Sequence, residues 1–217
     1  MIARRPSACI VMAALAASLA PARAVPGSTS ATAYPDWPCV QHKVAKLSSV
    51  QIWDGPPVED IKEWWNDPGA VKLVPLLVSR RVPVAEAEKA IERYAKELPE
   101  AERDQRLTVL FAGALARTNE TRASVLSGIE RFQRRQRARA EELERQGIEL
   151  ARLHKEKDAG GGEAAEKRFA EALERYDWDA RVFQERQQNI PLACEIPVLI
   201  ESRIFEIGRA IRSHMKE

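Results

Sequence analysis

The sequence contains few aromatic residues, few glycines and no long apolar run. Aromatic side chains make up 6% of the chain, and only 10 of its 217 residues are glycine, which argues against a β-sandwich or a β-barrel. No apolar stretch reaches the roughly 18 residues that a membrane-spanning helix needs, so no transmembrane segment is predicted. The charged fraction of 30% is ordinary for a globular protein and excludes a wholly disordered chain.

Histidine and cysteine are also scarce, and the motifs that they form in enzymes are missing. The three histidines, His42, His154 and His214, lie in separate segments, and none follows a glutamate by three residues as in di-iron bundles. The sequence lacks His-Glu-x-x-His, Cys-x-x-Cys, Gly-x-Ser-x-Gly and a phosphate-binding glycine loop. We therefore predict no cofactor and no metal site, and a non-catalytic protein is favoured over an enzyme.

Residues 1–24 have the pattern of a secretory signal peptide. Arg4 and Arg5 precede an apolar run of about a dozen residues, and an Ala-x-Ala motif ends at Ala24. This pattern predicts cleavage near Ala24 and a mature protein in the periplasm or outside the cell. The excess of arginine over lysine, together with abundant alanine, favours a GC-rich bacterial source.

Removal of the signal peptide changes the charge and the cysteine count. The segment carries three arginines and no acidic residue, so the net charge falls from +2 to −1, which argues against nucleic acid as a partner. Two cysteines then remain, Cys39 and Cys194, and in an exported protein they predict one disulfide. The alternative is a pair of reactive or metal-binding thiols, for which His42 is the only histidine near Cys39 in the sequence.

The rest of the chain reads as helices. Residues 25–38 are rich in Ser, Thr, Ala and Pro and predict a flexible leader, followed by a single helical domain over residues 39–217. Short helices are predicted at 58–65 and 69–80, with Pro75 kinking or shortening the second. Stronger helical periodicity begins at Pro83 and continues beyond Pro99.

Two later segments predict a long helical hairpin. Seam residues recur at alternating spacings of four and three from Val125 to Leu153 and again from Phe169 to Ile190, on either side of three glycines. We expect antiparallel, coiled-coil-like arms over about 120–158 and 163–189. Gln136 and Gln187 on the seam either specify the register or mark a surface for another helix.

The last predicted helix, from about residue 192 to 214, is apolar nearly all round. Such a helix belongs in the centre of a bundle. The predicted fold is therefore all-α, with a bundle body built from both termini and a hairpin extending from it.

An arginine cluster on the first arm is a candidate interaction surface. It consists of Arg131, Arg134, Arg135, Arg137 and Arg139, and it could meet anionic lipid, nucleic acid or an acidic partner. Glu130 lies four residues before Arg134, and Glu141 lies four residues after Arg137. These spacings predict intrahelical pairing, which favours a solvated face.

Tryptophans near the start of the domain are a candidate pocket. Four of the five lie within the first third of the chain, and His42 is close to them in sequence: Trp37, Trp53, Trp64 and Trp65. They could stack on a ligand, although filling a core that is poor in aliphatic residues is the favoured interpretation.

The resulting hypothesis is an exported, non-catalytic interaction or scaffold protein that binds a periplasmic protein through the hairpin. One alternative is a small-ligand or metal-binding protein, or an enzyme, with a tryptophan-rich pocket near His42. A weaker alternative is peripheral membrane contact through the arginine cluster.

Overall fold

A computed structural model describes residues 34–216, of which residues 34–67 are mostly irregular and the remainder forms helices joined by short turns. The helices are α1 (Pro68–Val78), α2 (Val84–Glu97), α3 (Glu100–Asp158), α4 (Gly162–Gln188) and α5 (Ile190–Arg212). Residues 34–216 contain no β-strand, so the all-α prediction is confirmed. The predicted signal peptide, residues 1–24, and leader residues 25–33 lie outside the described part of the chain.

One antiparallel helix pair runs through the whole structure. Helix α3 has 59 residues, and α4 and α5 follow one another along it with only Asn189, itself in a helical conformation, between them. In four contacts across the pair, the residue number on α3 falls as the residue number on α4 and α5 rises. These contacts are Glu156–Arg168, Arg139–Asp179, Arg122–Glu201 and Phe111–Gly208. The single register therefore extends from the tip of the hairpin to the core of the body.

The body packs α1, α2 and the segment 39–66 around the first half of α3 and α5. Its largest fully buried apolar side chains are Val74, Leu77, Ile91, Leu107, Leu110, Phe111, Ile204, Ile207 and Ile211. Burial of each such side chain stabilises the fold by about 1.5–3 kcal/mol. The apolar faces predicted for α2 and for the start of α3 are both part of this core.

Helix α5 has one buried face and one exposed face. Its buried residues recur at helical spacing and include Cys194, Ile200, Ile204 and Ile207. The sequence prediction that α5 is enclosed on all sides is wrong, because the helices that pack on it cover one side only. The exposed side chains are Leu192, Val198, Leu199 and Phe205. No helix in the described range has the length and hydropathy required to cross a membrane.

The segment 58–65 does not form the predicted helix. Only Trp64–Asn66 makes a 3-10 turn in this region. The carboxylate of Glu59 accepts a hydrogen bond from the amide of Val58 at 3.0 Å and another from the Ser49 hydroxyl. Such local side-chain bonds compete with the backbone bonds of a helix, and a segment this short has few of those to offer.

The hairpin turn lies where the glycines predict it. Gly160 and Gly162 have φ angles of 87° and 69°, a region that favours glycine. Helix α3 continues through Asn119 without a break, so the first arm is the second half of a longer helix. On the inner side, Asp179 accepts hydrogen bonds from Gln146 at 2.9 Å and from Arg139 at 3.4 Å. The two arms thus contact each other within one chain, and their coiled-coil packing stays a prediction.

Helix α1 begins at a carboxylate with several partners. Asp67 caps the helix by accepting a hydrogen bond from the amide of Ala70 at 2.8 Å, and it forms an ion pair with Arg106. The hydroxyl of Tyr94 lies 3.2 Å away. Burial raises the pKa of Asp67, but the Ala70 amide, Arg106 and Tyr94 outweigh it, so the pKa lies below its ordinary value.

The disulfide between Cys39 and Cys194 is present, and it joins the start of the domain to α5. The two residues are separated by 155 positions, and closing so long a loop restricts the unfolded chain strongly. We expect the double variant Cys39→Ser/Cys194→Ser to lose about 4–5 kcal/mol of unfolding free energy. Urea denaturation measures this loss, and chemical reduction of the native protein should reproduce it. An unchanged denaturation midpoint would contradict a stabilising role.

The Asp67 contacts predict a pH-dependent contribution to stability. Asp67→Asn should lower the unfolding free energy by about 1.5–3 kcal/mol at neutral pH, because it removes a charge-assisted network at a mostly buried site. A lowered pKa stabilises the fold above the ordinary value of 3.8, and the gain is lost as pH falls through the lowered value.

Urea unfolding at a series of pH values should therefore show the native and Asp67→Asn curves converging below about pH 3.8. Glu92→Gln is the matched control, because Glu92 pairs with Lys96 on an exposed helix surface and should matter little. Curves that stay parallel at low pH would show that the Asp67 charge is not the stabilising element.

Candidate functional site

The disulfide lies among polar contacts that hold the N-terminal segment on α5. The Gln41 side-chain amide donates to the carbonyl of Cys194 at 2.6 Å, and the Trp37 indole donates to the carbonyl of Gln41 at 2.7 Å. Trp37 is half-buried by this arrangement. Trp37 therefore has a structural role, because it helps to hold the N-terminal segment beside the disulfide.

Trp53 belongs to the core. Its ring stacks on Phe111 with centroids 4.1 Å apart and an interplanar angle of 10°, and its indole donates to the carbonyl of Pro56 at 2.8 Å. Only 9% of its surface is exposed. The favoured sequence interpretation, that tryptophan fills the core, is correct for this residue.

Trp64 and Trp65 line a groove of about 530 Å³ between the N-terminal segment and α3. Lys46, Lys62 and Glu59 also line it. Trp65 is 57% exposed, and its ring meets the Trp64 ring edge to face.

The five candidate residues therefore do not form one pocket, although Trp64 and Trp65 contact each other. His42 lies on the surface of the N-terminal segment, and neither it nor Trp37 nor Trp53 lines the groove. The structure separates them because Trp37 packs beside the disulfide while Trp53 turns inward to Phe111. Within residues 34–216, no three His, Cys, Asp or Glu side chains form a group that could hold a metal ion.

The arginine cluster is largely engaged by other parts of the chain. Arg134 and Arg137 both donate to the carboxylate of Asp36, at 2.9 and 3.0 Å, and Arg139 pairs with Asp179 on α4. Arg131 donates to Ser127 at 2.6 Å. Arg135 is exposed and forms no ion pair with any residue of the described chain.

The predicted intrahelical pairs of the cluster are replaced by pairs with the N-terminal segment. Asp36 takes Arg134 and Arg137, while Glu130 pairs with Lys43 instead of Arg134. Asp36 lies in the region predicted as a flexible leader, and these two guanidinium groups hold it on α3. Two arginines of the cluster, Arg134 and Arg137, therefore bind the chain's own N-terminal segment.

Two further surfaces were missed by the motif search. Trp178 on α4 is 62% exposed and lies in a shallow groove with Leu173, Arg175 and Arg181. A tryptophan off the seam of a polar hairpin was the available sequence signal for this surface. The second is a pocket in the body lined by Arg203, an arginine within a largely apolar helix. An arginine that interrupts the apolar pattern of α5 was the sequence signal for this pocket.

The different environments of the tryptophans predict different costs of substitution. Trp53→Ala should lower the unfolding free energy by about 3–5 kcal/mol, because it leaves a cavity against Phe111. Trp65→Ala should change it by less than about 0.5 kcal/mol, since its ring is largely exposed. Urea unfolding of the two variants tests the distinction. Equal costs would show that Trp53 is not a core residue.

Comparison with known proteins does not indicate a function for this chain. No protein-family model matches the chain, and the comparisons found no matching curated protein or solved structure. The contacts and exposed surfaces described above are therefore the basis for inferring function.

Proposed function

We propose that this protein is exported and acts as a non-catalytic interaction protein whose hairpin binds a protein partner. The contact element is the distal hairpin, defined as residues 131–186. The exposure of Trp178, at 62%, is the observation that carries the proposal. Tryptophan is enriched among residues that dominate protein–protein binding, and leaving its ring in water has a free-energy cost that a partner would remove.

The surroundings of Trp178 resemble a small interface. The shallow groove beside it is formed by α4 alone and combines the apolar Leu173 and Trp178 with charged residues at its rim. An apolar centre with a polar rim is the usual arrangement of protein interfaces.

The rim charges favour a protein over an anionic membrane. Arg175 and Arg181 line the groove together with Glu174 and Asp177, so both signs are present. A mixed rim gives little net attraction to a lipid surface, whereas it can match complementary charges on a protein. The arginine cluster offers less, because Asp36 and Asp179 already bind three of its members.

Export is supported by the N-terminal pattern and by the disulfide. Residues 1–24 carry the features of a signal peptide, and a structural disulfide persists in oxidising compartments such as the periplasm. The proposed partner is therefore a protein of the same compartment.

Site-specific crosslinking tests the proposal. A photoreactive amino acid is placed at position 178 and, in a second protein, at position 65, and both proteins are irradiated in periplasmic extract of the source cell. We expect a discrete crosslinked product from position 178 and none from position 65, which is a similarly exposed tryptophan on the body.

Alanine variants provide the matched affinity comparison. Trp178→Ala should weaken binding of the crosslinked partner by about 30-fold or more, as expected for a central interface tryptophan, while Trp65→Ala should leave it unchanged. Circular dichroism checks that both variants stay folded. Loss of binding with Trp65→Ala alone would instead favour the Trp64–Trp65 groove, and no discrete product from position 178 would refute the hairpin proposal.

A further inference from the structure

The pocket that contains Arg203 lies between the end of α1, the turn that follows it, and the facing sides of α3 and α5. Its volume is about 410 Å³. Four arginines line it, namely Arg80, Arg81, Arg117 and Arg203, and no acidic residue is among its lining residues. We call this site the arginine pocket. It shares no residue with the distal hairpin or with the Trp64–Trp65 groove.

Arg203 is a buried cation with an incomplete set of partners. The residue is 8% exposed; its Nε donates to the carbonyl of Leu77 at 2.6 Å, and its Nη1 donates to the carbonyl of Val82 at 2.7 Å. Its Nη2 is buried and has no hydrogen-bond acceptor. Burial lowers the pKa of Arg203, with only Glu206 acting in the opposite direction. A buried guanidinium without a carboxylate is costly, and a bound anion would offset that cost.

The other three arginines add positive charge that the chain neutralises only at Arg117. Arg80 and Arg81 are exposed and form no ion pair with residues 34–216. Arg117 pairs with Glu120 on the surface, where both side chains are more than half exposed, and such a pair is weak. The positive charge around the pocket is therefore largely unneutralised and favours an anion.

We propose that the arginine pocket binds a phosphate monoester that carries a small apolar substituent. A phosphoryl group has three terminal oxygens and up to two negative charges, which suit several guanidinium donors better than a carboxylate does. The hydroxyl of Thr118, which forms no hydrogen bond within the described chain, is a further donor in the lining.

The walls of the pocket define the remainder of the ligand. Five aliphatic residues line it beside the arginines: Leu77, Val78, Ile200, Ile204 and Ile207. A purely inorganic anion would leave these side chains without a partner, whereas an alkyl group or a single ring would cover them. The volume is near the lower end of the range for small-molecule sites, which sets a limit on the size of the substituent.

Isothermal titration in phosphate-free buffer tests the proposal with three soluble probes: hexyl phosphate, inorganic phosphate and hexanoate. We expect saturable binding of hexyl phosphate that is tighter than that of either other probe. Vesicles with and without a lipid that has a phosphate monoester headgroup form a fourth arm. Hexyl phosphate binding indicates a soluble ligand, and binding to those vesicles alone indicates a lipid headgroup in the same pocket.

Two double variants with the same change in charge locate the binding. Arg80→Gln/Arg81→Gln should weaken hexyl phosphate, or the vesicles if they alone bind, by about tenfold or more. Arg131→Gln/Arg135→Gln removes two exposed arginines from the hairpin and should leave affinity unchanged. Arg203→Lys keeps the buried charge but loses the planar fork, and it should also weaken binding while circular dichroism remains native.

Three results would overturn the proposal. The first is the absence of saturable binding of both hexyl phosphate and the vesicles when each probe is present at millimolar concentration. The second is equal weakening by the two double variants, which would indicate general electrostatic attraction. The third is hexanoate binding as tight as that of hexyl phosphate, which would indicate a carboxylate site. Because Trp178→Ala leaves the arginine pocket intact, failure of either proposal is distinguishable from failure of the other.

Discussion

Arg122 joins three parts of the body, namely the N-terminal segment, α3 and α5. It lies on α3 with its side chain 3% exposed, its Nε donates to the carboxylate of Glu201 on α5 at 2.8 Å, and its Nη1 donates to the carbonyl of Val44. The disulfide anchors the same N-terminal segment a few residues away, so covalent and ionic contacts hold it together. Without Glu201, the buried Arg122 guanidinium would keep only the Val44 carbonyl as a partner, which is costly for a buried charge. With the segment fixed in this way, Trp53 can stack on Phe111 and close the core.

Arg203, like Arg122, places a charged guanidinium group in the protein interior, but its hydrogen-bond partners are incomplete. Both are buried arginines at the α3–α5 side of the body, and both donate to backbone carbonyls. Arg122 forms an ion pair with Glu201, whereas Arg203, two residues after Glu201 on α5, forms no ion pair within the described chain. The charge of Arg122 is therefore neutralised within the fold, and that of Arg203 is not. This difference distinguishes a structural arginine from one that is available to an external anion.

The sequence predicted those features that depend on local periodicity. Apolar residues at helical spacing identified α2, α3 and α4, and the glycines located the hairpin turn, because both signals act over a few residues. The prediction that α5 is enclosed on all sides was wrong, since the sequence pattern of one helix does not show how many neighbouring helices cover it. The pairing of Asp36 with Arg134 and Arg137 was also missed. The rule for pairs four residues apart considers one helix alone, whereas a carboxylate from a distant segment can meet two guanidinium groups at once.

The distal hairpin contributes little to the stability of the body, which is why a function beyond folding is reasonable for it. Few of its side chains are buried. The buried apolar residues are Leu153 and Ala165, far fewer than in the core of the body, and the buried Gln136 is polar. Its surface is held by ion pairs within and between its arms, such as Arg145–Glu142, and each exposed pair is worth only a few tenths of a kcal/mol. Ordering these residues costs conformational entropy that so little burial barely offsets. A long, weakly buried hairpin that leaves a tryptophan in solvent is the physical basis on which we propose contact with a partner.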